Sequence, residues 1–179
     1  MSLGLRRGTV KLEPHDLRWE EEAGKAIEMI KSILGEDAVD IQHVGSTAIS
    51  AISAKPIIDI VVGVKDLSRI LQYHDQLGQE GMIFRNSDVA NQWLYVMGDF
   101  EKDTRTHHIH VVIWDGEEWN DYVNFRDYLN GNMDVALQYQ QLKLELERRF
   151  SDDRDAYTMG KHALITDILE QARQWRVSK

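Results

Sequence analysis

Lys55-Pro56-Ile57-Ile58-Asp59-Ile60-Val61-Val62 decides how the rest of the chain is read. After the proline, five of six residues are β-branched, the composition of a strand buried in the middle of a sheet. The sixth is Asp59, and a carboxylate in such a run is costly to bury unless a partner compensates it. Successive strand residues point to opposite faces, so Ile57, Asp59 and Val61 share one face and Ile58, Ile60 and Val62 the other.

Upstream, Val39-Asp40-Ile41-Gln42-His43-Val44 alternates as a strand and stops at Gly45-Ser46, a tight turn. Before it, Asp16 to Gly35 carries Trp19, Ala23, Ala26, Ile27, Ile30 and Leu34 at three- and four-residue spacing. This is one face of a helix, with Asp16 to cap it and Gly35 to end it. Thr47 to Ser53 is small and weakly helical. Downstream, Asp66 to Gly78 reads as a second amphipathic helix. Met82-Ile83-Phe84, Trp93 to Met97 and His108 to Trp114 read as three strands of a meander, with Gly98 to Thr106 as the longest loop. From Tyr122 the pattern is helical: Phe125 to Leu129, Val135 to Phe150 and Tyr157 to Arg176, broken at Asn130-Gly131-Asn132 and Ser151-Asp152-Asp153.

The expected fold is therefore α/β in the α+β sense, a mixed sheet of about five strands with helices crowding one face. The core runs from about residue 16 to 116, followed by a C-terminal helical cluster over about 121 to 176. At 179 residues with two prolines and no Pro-rich linker, one domain spanning 1–179 is expected. Met1-Ser2-Leu3 is left out of the fold reading.

Cysteine is absent, which removes disulfides, thiolate metal sites and a cysteine nucleophile, so any chemistry rests on oxygen and nitrogen groups. No apolar run is long enough to span a membrane and no signal pattern opens the chain, so a cytoplasmic location is expected. The formal net charge of −9 gives no global attraction for DNA or RNA, and nucleic acid is not the favoured partner. A small anion in a local basic pocket remains compatible with it.

Gly45-Ser46 lies where a strand gives way to a helical segment, so its backbone N–H groups can face a phosphate; the plainer reading is a glycine turn and a serine cap. In the strand His108-Ile109-His110-Val111-Val112, the two histidines share a face with Val112 and Trp114, opposite Ile109 and Val111. If that strand neighbours the Asp59 strand, Asp59, His108 and His110 meet as metal ligands, as an acid–base pair or as a hydrogen-bonded cluster that orients the sheet. Lys55, Arg105, Arg126, Lys143 and Lys161 are candidates for holding phosphate oxygens. Tyr139–Lys143 and Tyr157–Lys161 are each spaced to share a helical face.

His43-Val44-Gly45-Ser46-Thr47-Ala48 followed by Ala54-Lys55-Pro56-Ile57-Ile58-Asp59-Ile60 resembles the GrpB family. The resemblance continues through Trp19, His108 to Val112, Phe125 to Leu129, Tyr139 to Lys143, Tyr157-Thr158 and Lys161, nearly the whole chain. That family in turn resembles the nucleotidyltransferase superfamily. There, a Gly-Ser turn faces the nucleotide triphosphate, two carboxylates on the next strand and a third on a later strand hold Mg²⁺, and the sheet is mixed. The resemblance implies a nucleotidyltransferase-like core and a divalent ion, Mg²⁺ or Mn²⁺. It implies a nucleotide or small phosphate ligand at Gly45, Ser46 and Thr47, with Lys55, Arg126, Lys143 and Lys161 on the phosphates. Laid on this sequence, the paired acids fall on Ile57 and Asp59, so one survives, and His108 and His110 stand where the later acid is expected. Three functions follow: nucleotidyl transfer at a metal held by Asp59, His108 and His110; a nucleotide-binding module that does not turn its ligand over; or metal-dependent phosphoester hydrolysis.

Overall fold

A computed structural model describes residues 3–85 and 91–179. Most of the loop expected between the Phe84 and Trp93 strands lies outside the described residues, as does Met1-Ser2. Strand β1 (Leu5–Arg6) is followed by helix α1 (Arg18–Leu34), β2 (Ala38–Val44), β3 (Ile58–Val64), α2 (His74–Gln79), β4 (Ile83–Arg85), β5 (Gln92–Met97), β6 (Thr104–Arg105) and β7 (His107–Ile113). Helices α3 (Glu117–Gly131), α4 (Met133–Arg149) and α5 (Arg154–Val177) complete the order. Five strands form a mixed sheet in the order β2-β3-β7-β5-β4, and β1 pairs with β6 in a two-stranded ribbon.

The strand expected at the centre is β3, which lies second in the order, beside the central β7. It pairs antiparallel with β2 and parallel with β7. Ile58, Ile60, Val61, Val62 and Val64 are fully buried. Burying each such side chain stabilises the fold by roughly 1.5–3 kcal/mol relative to exposure. Ile58, Ile60 and Val62 pack with Ile109 and Val111 of β7 and with Trp19, Ala23, Ala26 and Ile30 of α1. On the opposite face, Val61 joins Val44, Val112 and Trp119 of α3. Helices thus cover both faces of the sheet, where the sequence suggested one. The cause lies in β3 itself, whose two faces are both apolar and need cover on both sides.

Two further expectations change. The helix expected over Asp66 to Gly78 is a 3₁₀ segment, Leu67–Tyr73, running into the short α2. Leu67, Ile70 and Tyr73, all packed on the α1-side core, are spaced by three, which suits three residues per turn. The helical stretch after Gly45 shrinks to one 3₁₀ turn, Ser46–Ala48. A turn that short has too few aligned peptides for an appreciable dipole, so the expected helix-end attraction for phosphate is lost there. The C-terminal helices form as expected but start earlier, and Ile49, Ile52, Leu129, Ala136, Tyr139, Ile168 and Ala172 share a second core.

Candidate functional site

The parallel pairing of β3 with β7 sets Asp59 opposite His108 and Val61 opposite His110. Asp59 therefore meets both imidazoles on one sheet face. His108 Nδ1 lies 3.1 Å from Asp59 Oδ1 and His110 Nε2 lies 3.6 Å from the same oxygen. One ligand atom from each of the three residues falls within 4.8 Å of the others. Burial alone would raise the Asp59 carboxyl, but hydrogen bonds from His108 and His110 outweigh it and hold the group well below the usual carboxylate range.

Gly45 closes this corner from β2. Its φ of 71° and ψ of −172° lie in a region essentially reserved for glycine. A Cβ there would stand 2.5 Å from Asp59 Oδ2. The glycine both makes the turn and lets the carboxylate lie against the backbone.

Behind His110, Tyr122 of α3 donates its hydroxyl proton to Gln92 Oε1 at 2.9 Å and lies 3.0 Å from His110 Nδ1. With its proton directed at Gln92, the hydroxyl accepts at His110 Nδ1, which fixes the ring with Nε2 turned toward Asp59. Such anchoring is what a carboxylate or hydroxyl behind a metal-binding histidine provides. Two imidazole nitrogens and one carboxylate oxygen fit Mn²⁺, Zn²⁺ or a similar ion better than Mg²⁺, which prefers an all-oxygen shell.

Asp59 and His108 open onto a cavity of about 510 Å³, within the size range of small-ligand pockets, roughly 300–1,000 Å³. Its walls include Gly45, Ser46 and Thr47, the cations Lys55, Lys143, Lys161 and Arg154, and the apolar Ile57, Phe125, Ile165 and Leu169. Lys55 and Lys161 lie over the Tyr157 ring, 5.3 and 4.5 Å from its centroid, and Lys143 lies 4.8 Å from that of Tyr139. Lys143 Nζ donates to the Ser53 carbonyl. Burial, then the charges of Arg154 and Lys161, lowers Lys55 to about 7. Burial, then Lys161 and Lys55, lowers Lys143 to about 7. Burial takes Lys161 to about 8, Asp59 opposing the shift. Three ammonium groups crowded this way favour an anion between them. On the α3 wall, Glu118 and Asp121 also line the cavity, Asp121 being tied to Arg173 at 2.6 Å.

Nine of the eleven residues singled out from the sequence gather here, with His110 behind the cavity surface. The Thr47 hydroxyl is taken by His43 Nε2 at 2.9 Å. Arg126 is not brought to the cavity: Nη1 donates to Gln42 Oε1 and the His43 carbonyl, and Nη2 pairs with Asp127 at 2.7 Å, which fixes the end of β2 against α3. Arg105 lines a different cavity. Tyr122, Gln92 and Arg154 were missed. Arg154 had a signal, lying three residues before Tyr157 on the face that carries Lys161; Tyr122 and Gln92 had none.

The family model described as GrpB protein matches residues 9–171. The glutamate-rich protein GrpB of Alkalihalophilus pseudofirmus is 37% identical over 172 residues, covering 94% of this chain and 99% of its own. The crystal structure of the conserved protein GrpB from Enterococcus faecalis superposes with a TM-score of 0.85 at 27% identity, covering 92% of this chain and 99% of that one. The Cid1 poly(U) polymerase bound to MgGTP superposes with a TM-score of 0.52 at 14% identity, over 77% of this chain and 45% of that one, a likeness of fold alone. With the family model spanning most of its length and the sheet, turn and histidine strand in place, the chain belongs to the GrpB family.

Proposed function

We propose that the cavity binds a nucleoside triphosphate together with one divalent transition ion, and that the protein transfers the nucleotidyl group to a small acceptor. The observation that carries this reading is the meeting, in one cavity, of Asp59 and His108, backed by His110, with the lysines 55, 143 and 161. A triphosphate bridging the two satisfies both. Its negative charge restores the protons that burial strips from the lysines, while Phe125, Ile165 and Leu169 offer an apolar surface for the nucleoside.

Asp59, His108 and His110 hold the ion, which supplies neutralisation of phosphate charge. Tyr122 holds the His110 ring with Nε2 forward, Gly45 and Ser46 border the phosphates, and Lys55, Lys143 and Lys161 bind their oxygens. In the transfer, the acceptor oxygen forms a bond to the α-phosphorus as the α-phosphorus–pyrophosphate oxygen bond breaks. Pyrophosphate leaves with the electron pair and the acceptor's proton passes to water.

One observation favours a second reading, a nucleotide-binding module without turnover: Ile57 lines the cavity where the resembling superfamily carries an acid. Pyrophosphate release from nucleoside triphosphate and Mn²⁺, screened over small acceptors, separates the two. Release that disappears in Lys161→Gln supports transfer, whereas tight nucleotide binding with no release under any acceptor supports the module. Lys161→Gln binding the nucleotide as tightly as wild type would contradict both.

A further inference from the structure

A second cavity, of about 370 Å³, adjoins the first and shares His108 and Arg154 with it. Its lining adds Arg7, Arg85 and Arg105 to those two, on a floor of Leu94 and Val96, with no carboxylate among the described residues. Four guanidinium groups thus converge in a chain whose formal net charge is −9. Arg7, Arg85 and Arg154 form no ion pair among the described residues. Arg105 is buried at 9% exposure, its Nη1 donating to the Thr104 carbonyl and its Nη2 3.4 Å from Asp103 Oδ1.

The convergence is built by the fold. Pairing of β1 with β6 sets Leu5 opposite Arg105 and brings Arg7 alongside, Arg85 ends β4, and Arg154 opens α5. Arg85 and Arg105 both lie over the Phe100 ring, at 5.6 and 4.7 Å from its centroid, so two like charges share one aromatic support. Holding like charges together is unfavourable, and a dianion between them reverses the sign. Guanidinium forks match the oxygens of a phosphate monoester two at a time, which ammonium groups do not.

We propose that this arginine cavity is a second anion site, distinct from the lysine cavity, and that it seats the acceptor as a small molecule bearing a phosphate monoester. Its role as the acceptor's seat rests on the first cavity being the nucleotide site; its affinity for the monoester does not. The shared wall at His108 and Arg154 places the bound monoester's carbon skeleton next to the Asp59 corner. The volume suits a metabolite, and the net negative charge of the chain opposes a long polynucleotide.

Calorimetry with ribose 5-phosphate as the probe tests the proposal on three proteins: wild type, the double variant Arg7→Gln/Arg85→Gln, and Lys55→Gln/Lys161→Gln. Arg7 and Arg85 are exposed and carry no internal ion pair among the described residues, so their replacement leaves folding intact. The arginine variant is expected to bind ribose 5-phosphate about tenfold more weakly or worse, from the loss of charge-assisted hydrogen bonds. Its affinity for ATP with Mn²⁺ is expected to stay at the wild-type level. The lysine variant is expected to do the reverse. Ribose 5-phosphate binding that is unchanged in the arginine variant, or lost only in the lysine variant, would overturn the second site. A single-stranded oligonucleotide that binds more tightly than the probe, in an arginine-dependent way, would overturn the small-molecule assignment. Should no protein bind ATP while the arginine-dependent binding persists, the nucleotide reading fails and the monoester site stands.

Discussion

At the scale of single residues, the site depends on a glycine, an anchored histidine and a carboxylate. Gly45→Ala forces a side chain into a backbone region that costs on the order of 1–3 kcal/mol for non-glycine residues, and drives its Cβ into the Asp59 carboxylate. Urea unfolding is expected to show a loss of at least that size, and calorimetry a loss of metal binding; an unchanged unfolding midpoint would refute the packing described. Tyr122→Phe keeps the ring and removes the group that fixes His110. Manganese affinity is expected to fall about tenfold or more with the fold retained, the usual effect of removing such a partner, and equal affinity would show that Tyr122 does not orient His110. Asp59 was legible in the sequence because a lone carboxylate among β-branched residues needs a partner. Tyr122 and Gln92 were not, since nothing in their spacing shows that α3 and β5 converge behind β7.

At the scale of elements, β3 and β7 were readable from composition and period, and the two histidines lay on the expected face because strand alternation is geometrically strict. Their parallel pairing was not in the pattern; it follows from the fold that places β5 on the far side of β7. Spacing misjudged the 67–79 segment because residues three apart serve a 3₁₀ turn as well as an α-helix. It also misjudged Arg126, whose partners Gln42 and the His43 carbonyl belong to a strand 83 or more residues away. The Tyr–Lys spacings on α4 and α5 did report shared helical faces, and both helices turn those faces to the cavity. Lys143→Gln, buried against Ser53 and Tyr139, is expected to weaken triphosphate binding about tenfold without loss of helical signal in circular dichroism. Unchanged affinity would remove α4 from the site.

At the scale of the whole molecule, an acidic chain carries cationic cavities, and this gives a pH signature. Lys55, Lys143 and Lys161 hold their protons less tightly in the folded protein than the ordinary value of 10.5. Between about pH 7 and 10.5 the unfolded chain therefore binds more protons, and the stability of the ligand-free protein gains a contribution that grows as pH rises through that window. Triphosphate affinity moves the other way. It is expected to fall from pH 7 to 9, with proton uptake on binding at pH 8 measurable by calorimetry in buffers of different ionisation enthalpy. The arginine cavity was invisible in the sequence because its residues come from segments near positions 7, 85, 105 and 154, joined only by folding.

The central claim, that Asp59 anchors a metal-assisted nucleotide site, is tested most directly by the thermal melting of wild type and Asp59→Asn with nucleoside triphosphates and Mn²⁺, Zn²⁺ or Mg²⁺. The account predicts a metal-dependent rise in the wild-type midpoint on adding nucleotide, largest with Mn²⁺ or Zn²⁺ and absent from a folded Asp59→Asn protein. An equal rise in both proteins, or none in the wild type with any pair, would contradict it.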